Sequence, residues 1–405
     1  MKSHVYLIVA AFLGLIIASC TVRSKDSSEH ATTNRETVRF ATFNVSLNRK
    51  TNGELLSDLK RGEDVQIQQV AEVIQRVRPD VILLNEVDYD SQADAIALFQ
   101  KNFLAVGQNG QQPIEYPYVF TAPVNTGIES AIDINQDGQI ELPSDGFGFG
   151  AFPGQYGMAV LSKYPIDSAN VRTFQNFLWK DMPNARRPID PATQKAFYSN
   201  EVFDRLRLSS KSHWDVPIQV AGETVHLICC HPTPPVFDGD EDRNVCRNHD
   251  EIRLVADYVS DNASYLYDDK GVKGGLPTGR SFVVAGDLNA DPVDGDSVQK
   301  AARQLTENPA INQTQIPASK GAVAAARITG QKNKEHQGEP AHDTGDFNDE
   351  SVGNMRVDYC LPSKNLQLTD CGVFWPAEGE AGFELNQASD PVSYTHLTLP
   401  TIYSV

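Results

Sequence analysis

The chain has 405 residues, a formal net charge of −18 and an apolar fraction of 40 %. Its length and apolar content are ample for a packed core, and no Pro/Ser/Gly-rich hinge divides Val38 from Asp390, so one domain over 38–390 is expected. The acidity argues against salt-driven adhesion to DNA through a broad basic surface, and no dense Lys/Arg run supplies a local strip for it.

The start, MKSHVYLIVAAFLGLIIASC, is a lysine, an apolar stretch and then Ile17, Ala18, Ser19 and Cys20, the pattern of a bacterial export signal ending in a lipobox. It implies removal of residues 1–19, a diacylglycerol on Cys20 and a polar tether over 20–37. The expected location is therefore outside the cytoplasm, with contact to the membrane through the lipid anchor only. Thr21, in place of aspartate, favours the outer membrane if the host is Gram-negative, and the cell surface otherwise.

Beyond the tether, VRFATFNVS reads as a strand ending near Asn44, and VQIQQVAEVIQRV (65–77) has apolar residues at helical spacing with Pro79 just past its end. VILLNEVD is a strand that delivers Glu86, and DAIALFQKNF is a second helix. In DINQDGQIE, Asp133, Asn135 and Asp137 alternate before Gly138, which is calcium-loop spacing with the Gln139 carbonyl as the next ligand. Ser144 stands where an EF-hand has glutamate. The expected role is a brace for FGFGAFPGQYGM beside the cleft. HLICCHPTPP ends a strand at His231, and NHDEIRLVADYVS is a third helix with Asn248 or His249 as its cap. SFVVA opens into GDLNADP with Asp287 and Asn289, and MRVDYCLPS carries Asp358. Glycine- and proline-containing polar stretches at 109–112, 268–279 and 330–347 read as surface loops.

Apolar runs that each end in Asn, Glu, His or Asp suit hard-metal chemistry, because carboxylate and amide oxygens match Mg²⁺, Mn²⁺ or Ca²⁺ and a lone histidine makes a poor zinc cage. Strand–helix–strand recurs in both halves, which suits an α/β arrangement of packed sheets with helices outside. Five cysteines follow Cys20, so at least one has no partner within the chain. Cys229 and Cys230 point to opposite faces of their strand, and at most one can face the loop of Cys246. His226 is expected on a sheet face, and Trp179, Trp214 and Trp375 in packing.

On these residues the chain resembles the endonuclease/exonuclease/phosphatase superfamily, the fold of deoxyribonuclease I, sphingomyelinases and inositol polyphosphate 5-phosphatases. The resemblance implies a four-layer α/β sandwich, two packed mixed β-sheets flanked by helices. It makes Asn44 the first-strand asparagine, Glu86 the metal-binding glutamate and GMAVLSKYPI the family's strand pair. Glu86, with Asn44 and Asp390, would hold one or two Mg²⁺ (or Mn²⁺) ions. His231 would contact the phosphate with Asn289, Asp287 would orient or deprotonate water, and Asp358 would orient a final histidine. LRLSSKSHWDVP and the stretch after His231 look like a secreted bacterial branch, with Lys211, His213 and Arg243 as candidate substrate contacts. The implied activity is metal-dependent hydrolysis of small or lipid-derived phosphoric esters. Nucleic acid is the second substrate class, and a non-catalytic binding lipoprotein the alternative outside enzymes.

The family closes with S-D-H, whereas here Ser389 and Asp390 are followed by Pro391. PVSYTHLTLPT reads as the translation of a sequencing-transposon end. Residues 391–405 are accordingly expected to be a library artefact, with His396 accidental and a catalytic histidine and a sheet strand missing from the chain as written.

Overall fold

The computed structural model describes residues 37–387 and 401–404. The export signal, Cys20, nearly all of the tether, Asp390 and His396 lie outside them. Among the described residues no helix is long and apolar enough to cross a membrane.

Four strands open the first sheet: β1 (Arg39–Leu47), β2 (Val81–Val87), β3 (Tyr118–Phe120) and β4 (Gly157–Ser162). The second sheet holds β5 (Arg172–Thr173), β6 (His213–Val220), β7 (Glu223–Cys230), β8 (Ser281–Asp287) and β9 (Asp358–Pro362). The chain then returns to the first sheet with β10 (Asp370–Val373) and β11 (Thr401–Ser404). The spatial orders are β10-β11-β1-β2-β4-β3 and β9-β8-β7-β6-β5. Both sheets are mixed, with β1 parallel to β2 and β7 parallel to β8, and the other pairs antiparallel.

Period-two alternation sorts the side chains of each strand between two cores. Phe40, Val81, Leu83, Val160, Trp214, Leu227, Val283 and Ala285 pack together between the sheets. Ala41, Phe43, Ile82 and Leu84 pack instead with helices α1 (Glu54–Arg61) and α2 (Val65–Val77). On the far side, Ile228, Cys230, Phe282 and Val284 meet Ile252 and Val255 of helix α4 (Arg243–Tyr258). Helix, sheet, sheet, helix is the expected four-layer sandwich.

Helix α2 has the expected bounds, with Asp64 as its N-cap accepting from the Ile67 N–H at 2.9 Å. The second expected helix is α3 (Asp94–Phe99) and continues as a π-turn over Gln100–Leu104. Helix α4 begins five residues before Asn248, capped at Asp242, so neither Asn248 nor His249 is a cap. Asn248 reaches the Thr233 and Leu288 carbonyls at 2.8 and 2.9 Å, and His249 Nδ1 lies 3.0 Å from Asp250. The acidic run before Arg243 concealed that first turn and a half. Short pairs, Gly345–Asp346 with Asn354–Met355, interrupt the loop expected at 330–347. Residues 401–404 occupy the place between β10 and β1 where a strand was expected to be lacking. The two flanking edges supply their ladder bonds. All three tryptophans are buried, and His226 Nδ1 lies 2.7 Å from Asp215 Oδ1.

Candidate active site

The site forms at the C-terminal ends of β1, β2, β7 and β8, where the two sheets meet. The ladder between β1 and β2 slips between Asn44 and Leu47, and the ladder between β2 and β4 slips between Asn85 and Val87. Ser46 and Glu86 sit in these irregularities with φ of 47° and 63°. Such bulges re-aim a side chain that regular pleating would direct elsewhere. Here they bring Asn48 Nδ2 to 2.9 Å from Glu86 Oε2.

Between β7 and β8 the backbones approach closely at Gly286, where a Cβ would fall 1.9 Å from the Cys230 carbonyl oxygen. Only glycine permits that contact, and it sets the next residues, His231 and Asp287, side by side. His231 Nε2 lies 3.8 Å from Asp287 Oδ2 and 3.9 Å from Glu86 Oε1. Asn44 Nδ2 donates to Asp287 Oδ2 at 3.1 Å, while the Asn289 N–H donates to Asp287 Oδ1 at 2.9 Å. Asn289 is left-handed at φ 51°, which asparagine tolerates, and one of its amide hydrogens is held by the Pro232 carbonyl at 3.1 Å. Asp358 pairs directly with Asp287 across the β8–β9 ladder, and its N–H donates to Thr344 Oγ1 at 3.0 Å.

Asp287 and Asp358 are fully buried. Burial is the main cause that raises the Asp287 carboxyl above its ordinary range, with the Asn289 N–H, Asn44 and Lys211 pulling the other way. Asp358 is pushed up further by burial and then by the adjacent Asp287. Next to Glu86, the Asp88 carboxyl is raised by burial to about 7. The Cys230 thiol is likewise pushed up by burial, which leaves it unsuited to act as a nucleophile with His231.

Asn44, Glu86, His231, Asn289, Lys211 and Arg243 line a cleft of about 1070 Å³. Its lip carries Phe149 and Phe237, 62 % and 72 % exposed. Arg207, Arg247, Lys300 and Lys332 reach the same walls, as do Asp291, Asp294, Asp296 and Glu335. Cations scattered in the sequence thus gather here although no dense basic run exists. Arg243 is ion-paired to Glu241 and lies over the Phe197 ring at 6.0 Å. His213 is not part of the cleft lining. It is buried, with Nδ1 2.7 Å from Ser209 Oγ and Nε2 3.1 Å from the Glu251 carbonyl, and burial lowers it to about 4. The polar run SSKSHW looks exposed in sequence but folds beneath α4, where Ser209 and Ser212 bond His213 and Ser210 bonds Glu251.

The loop over Asp133–Gln139 closes on itself. Asp133 accepts from the Asp137 and Gly138 N–H groups at 3.1 and 2.9 Å, Asn135 Oδ1 accepts from Asp137 at 3.1 Å, and Asp137 Oδ1 accepts from Gln139 at 2.8 Å. Asp145, buried, ties its ends by accepting from Ile134 and Glu141. The five cysteines after Cys20 are free thiols, with Cys230 on the same core face as Cys246 and Cys229 between the sheets.

Among the described residues no three His, Cys, Asp or Glu side chains form a ready metal cage. The expected ligand Asp390 lies outside those residues. The donors that are present, the Glu86 carboxylate and the Asn44 amide oxygen beside Asp287, are all hard oxygens, which fits a Mg²⁺-type ion and not a thiophilic one.

Residues 41–390 match the Endonuclease/Exonuclease/phosphatase family, and the chain belongs to it. Its members are metal-dependent phosphoester hydrolases. Among solved structures, an endonuclease/exonuclease/phosphatase from Beutenbergia cavernae is 17 % identical, with 91 % of this chain and 71 % of that one covered and a TM-score of 0.47. A beta toxin mutant from Staphylococcus aureus with bound magnesium ions is 14 % identical over 91 % and 99 % of the two chains, TM-score 0.44. Sphingomyelinase C from Streptomyces griseocarneus is 15 % identical over 92 % and 100 %, TM-score 0.42. No curated protein matches the chain.

Proposed function

We propose that the chain hydrolyses small or lipid-derived phosphoric mono- or diesters by metal-assisted attack of water on phosphorus. The observation that carries this is the buried Asp287 carboxylate, held by Asn44 and Asn289 and 3.8 Å from the Nε2 of His231, three residues that line the cleft. Burying two neighbouring carboxyls, Asp287 and Asp358, is costly, and a scaffold that only bound ligands would not require it.

Glu86 and Asn44, with Asp390 as the further expected ligand, would hold Mg²⁺ or Mn²⁺. Such an ion offsets negative charge on the phosphoryl oxygens and the leaving alkoxide. Asp287 accepts the proton of the attacking water, and its raised pKa makes it a stronger base than a free aspartate. His231 and the remaining amide hydrogen of Asn289 face the non-bridging oxygens. Asp358 would orient a histidine at the position after Asp390, which is Pro391 in this chain.

Nucleic acid is the second substrate class, supported by Arg207, Lys300 and Lys332 along the cleft. The Asp133–Gln139 loop serves as a calcium brace for the wall that carries Phe149. Export and a lipid anchor at Cys20 complete the proposal. Rates on bis-p-nitrophenyl phosphate, p-nitrophenyl phosphate and plasmid DNA, each with Mg²⁺ and with EDTA, test it. Chelator-sensitive turnover of at least one supports the hydrolase, and the order of rates assigns the ester class. No turnover of any of them favours the binding lipoprotein.

A further inference from the structure

Lys211 is only 7 % exposed, yet it lines the same cleft as Glu86, His231 and Asn289. Its neighbours have committed their side chains. Ser209 Oγ bonds the Phe174 carbonyl and His213, Ser210 Oγ donates to Glu251 Oε1 at 2.9 Å, and Ser212 Oγ reaches the His213 carbonyl. Among the described residues the Lys211 ammonium has no hydrogen bond to a protein group and no carboxylate at ion-pairing distance. With its stem buried and its ammonium open to the cleft, the donors of Lys211 are available to an acceptor that a ligand supplies. Burial lowers its pKa, and the fields of Glu251, Glu86 and Asp287 oppose that shift, which places it within electrostatic reach of the reaction centre.

Glu251, fully buried on α4, clips two segments together. Its Oε1 accepts from the Ser210 N–H at 2.6 Å, and its Oε2 accepts from the Thr233 N–H at 2.7 Å. One carboxylate therefore fixes the residue before Lys211 and the second residue after His231. Its own charge is pushed toward neutrality by burial and restored by Arg247, the two N–H groups and Lys211.

We infer that Lys211 is a direct contact for a phosphoryl oxygen in the cleft, and that Glu251 is the positioning residue holding its segment against that of His231. The catalytic part of this inference rests on the proposed hydrolase function, whereas the anion contact does not. It selects substrates or products that present a non-bridging phosphate oxygen at the cleft floor, whatever the alcohol.

The test uses the full chain and inorganic phosphate as probe, with binding followed by calorimetry and turnover by bis-p-nitrophenyl phosphate. Lys211→Met should weaken phosphate binding at least about tenfold without loss of near-UV dichroism, and Lys211→Arg should recover part of the affinity. Glu251→Gln should weaken it less, and the double variant should lose less than the sum of the two single losses, because Glu251 acts in part through Lys211. Should Lys211→Met fail to fold, reductive methylation of the wild-type chain replaces it: phosphate should protect Lys211 from modification. Undiminished phosphate affinity in a folded Lys211→Met, or no protection, overturns the contact, and an additive double variant overturns the role of Glu251. A wild type that binds phosphate through Lys211 but hydrolyses nothing would refute the enzyme and leave the contact standing.

Discussion

Asn44 Nδ2 donates to Asp287 Oδ2 at 3.1 Å, a bond between residues 243 apart in sequence that joins the end of one sheet to the end of the other. It ties the geometry of the candidate site to the packing of the sandwich. Asn44→Ala should destabilise the fold by about 1–3 kcal/mol, since it strips a buried acceptor of a partner. The bond also lowers the Asp287 pKa. Its removal should therefore move the acid limb of the pH–rate profile to higher pH, read from kcat/KM alongside urea denaturation.

Gly286→Ala should be more damaging than any surface change. A Cβ there meets the Cys230 carbonyl at 1.9 Å, and only backbone separation of β7 and β8 relieves it. We expect a loss of at least about 1–3 kcal/mol and a collapse of turnover, because His231 and Asp287 directly follow the two residues forced apart.

Stability should fall as pH rises from about 4 to 8. Asp343, raised to about 8 by burial and by Asp291 and Asp294, and Asp88, raised to about 7, bind more protons folded than unfolded across that interval. The stability they contribute is therefore present at low pH and lost as pH passes through the folded pKa. Asp343→Asn should flatten the upper part of this slope and raise Tm at pH 8 and above, in melting curves taken at unit pH steps.

A calcium brace at Asp133–Gln139 predicts a lower Tm in EGTA and recovery on adding Ca²⁺. Asp137→Ala should abolish the difference. Equal melting in EGTA and Ca²⁺ would leave the loop as the self-closed turn its hydrogen bonds describe.

That Asn44, Glu86, His231 and Asp287 gather in one candidate site was legible because each ends an apolar run, and repeated strand ends of that kind point to one place. What sequence concealed was how those ends are bent. The bulges at Ser46 and Glu86 depend on slippage between paired strands, and no residue in FNVS or LNEV marks them. Glu251 was overlooked inside the polar run NHDEIR. Its spacing to Leu254 and Val255 offered the available signal, since i+3 and i+4 share a helix face. His213 misled for the opposite reason, being polar in a polar run yet buried through bonds to Ser209 and the Glu251 carbonyl.

The central claim, metal-dependent ester hydrolysis at Glu86 and Asp287, is tested most directly by initial rates on bis-p-nitrophenyl phosphate. The measurement compares Mg²⁺ with EDTA in a chain carrying Pro391→His, which supplies the family's terminal histidine, and in the same chain with Glu86→Gln. The account predicts turnover that EDTA abolishes and Glu86→Gln cuts by at least about 100-fold at unchanged Tm. Turnover that survives EDTA, or that Glu86→Gln leaves intact, would contradict it.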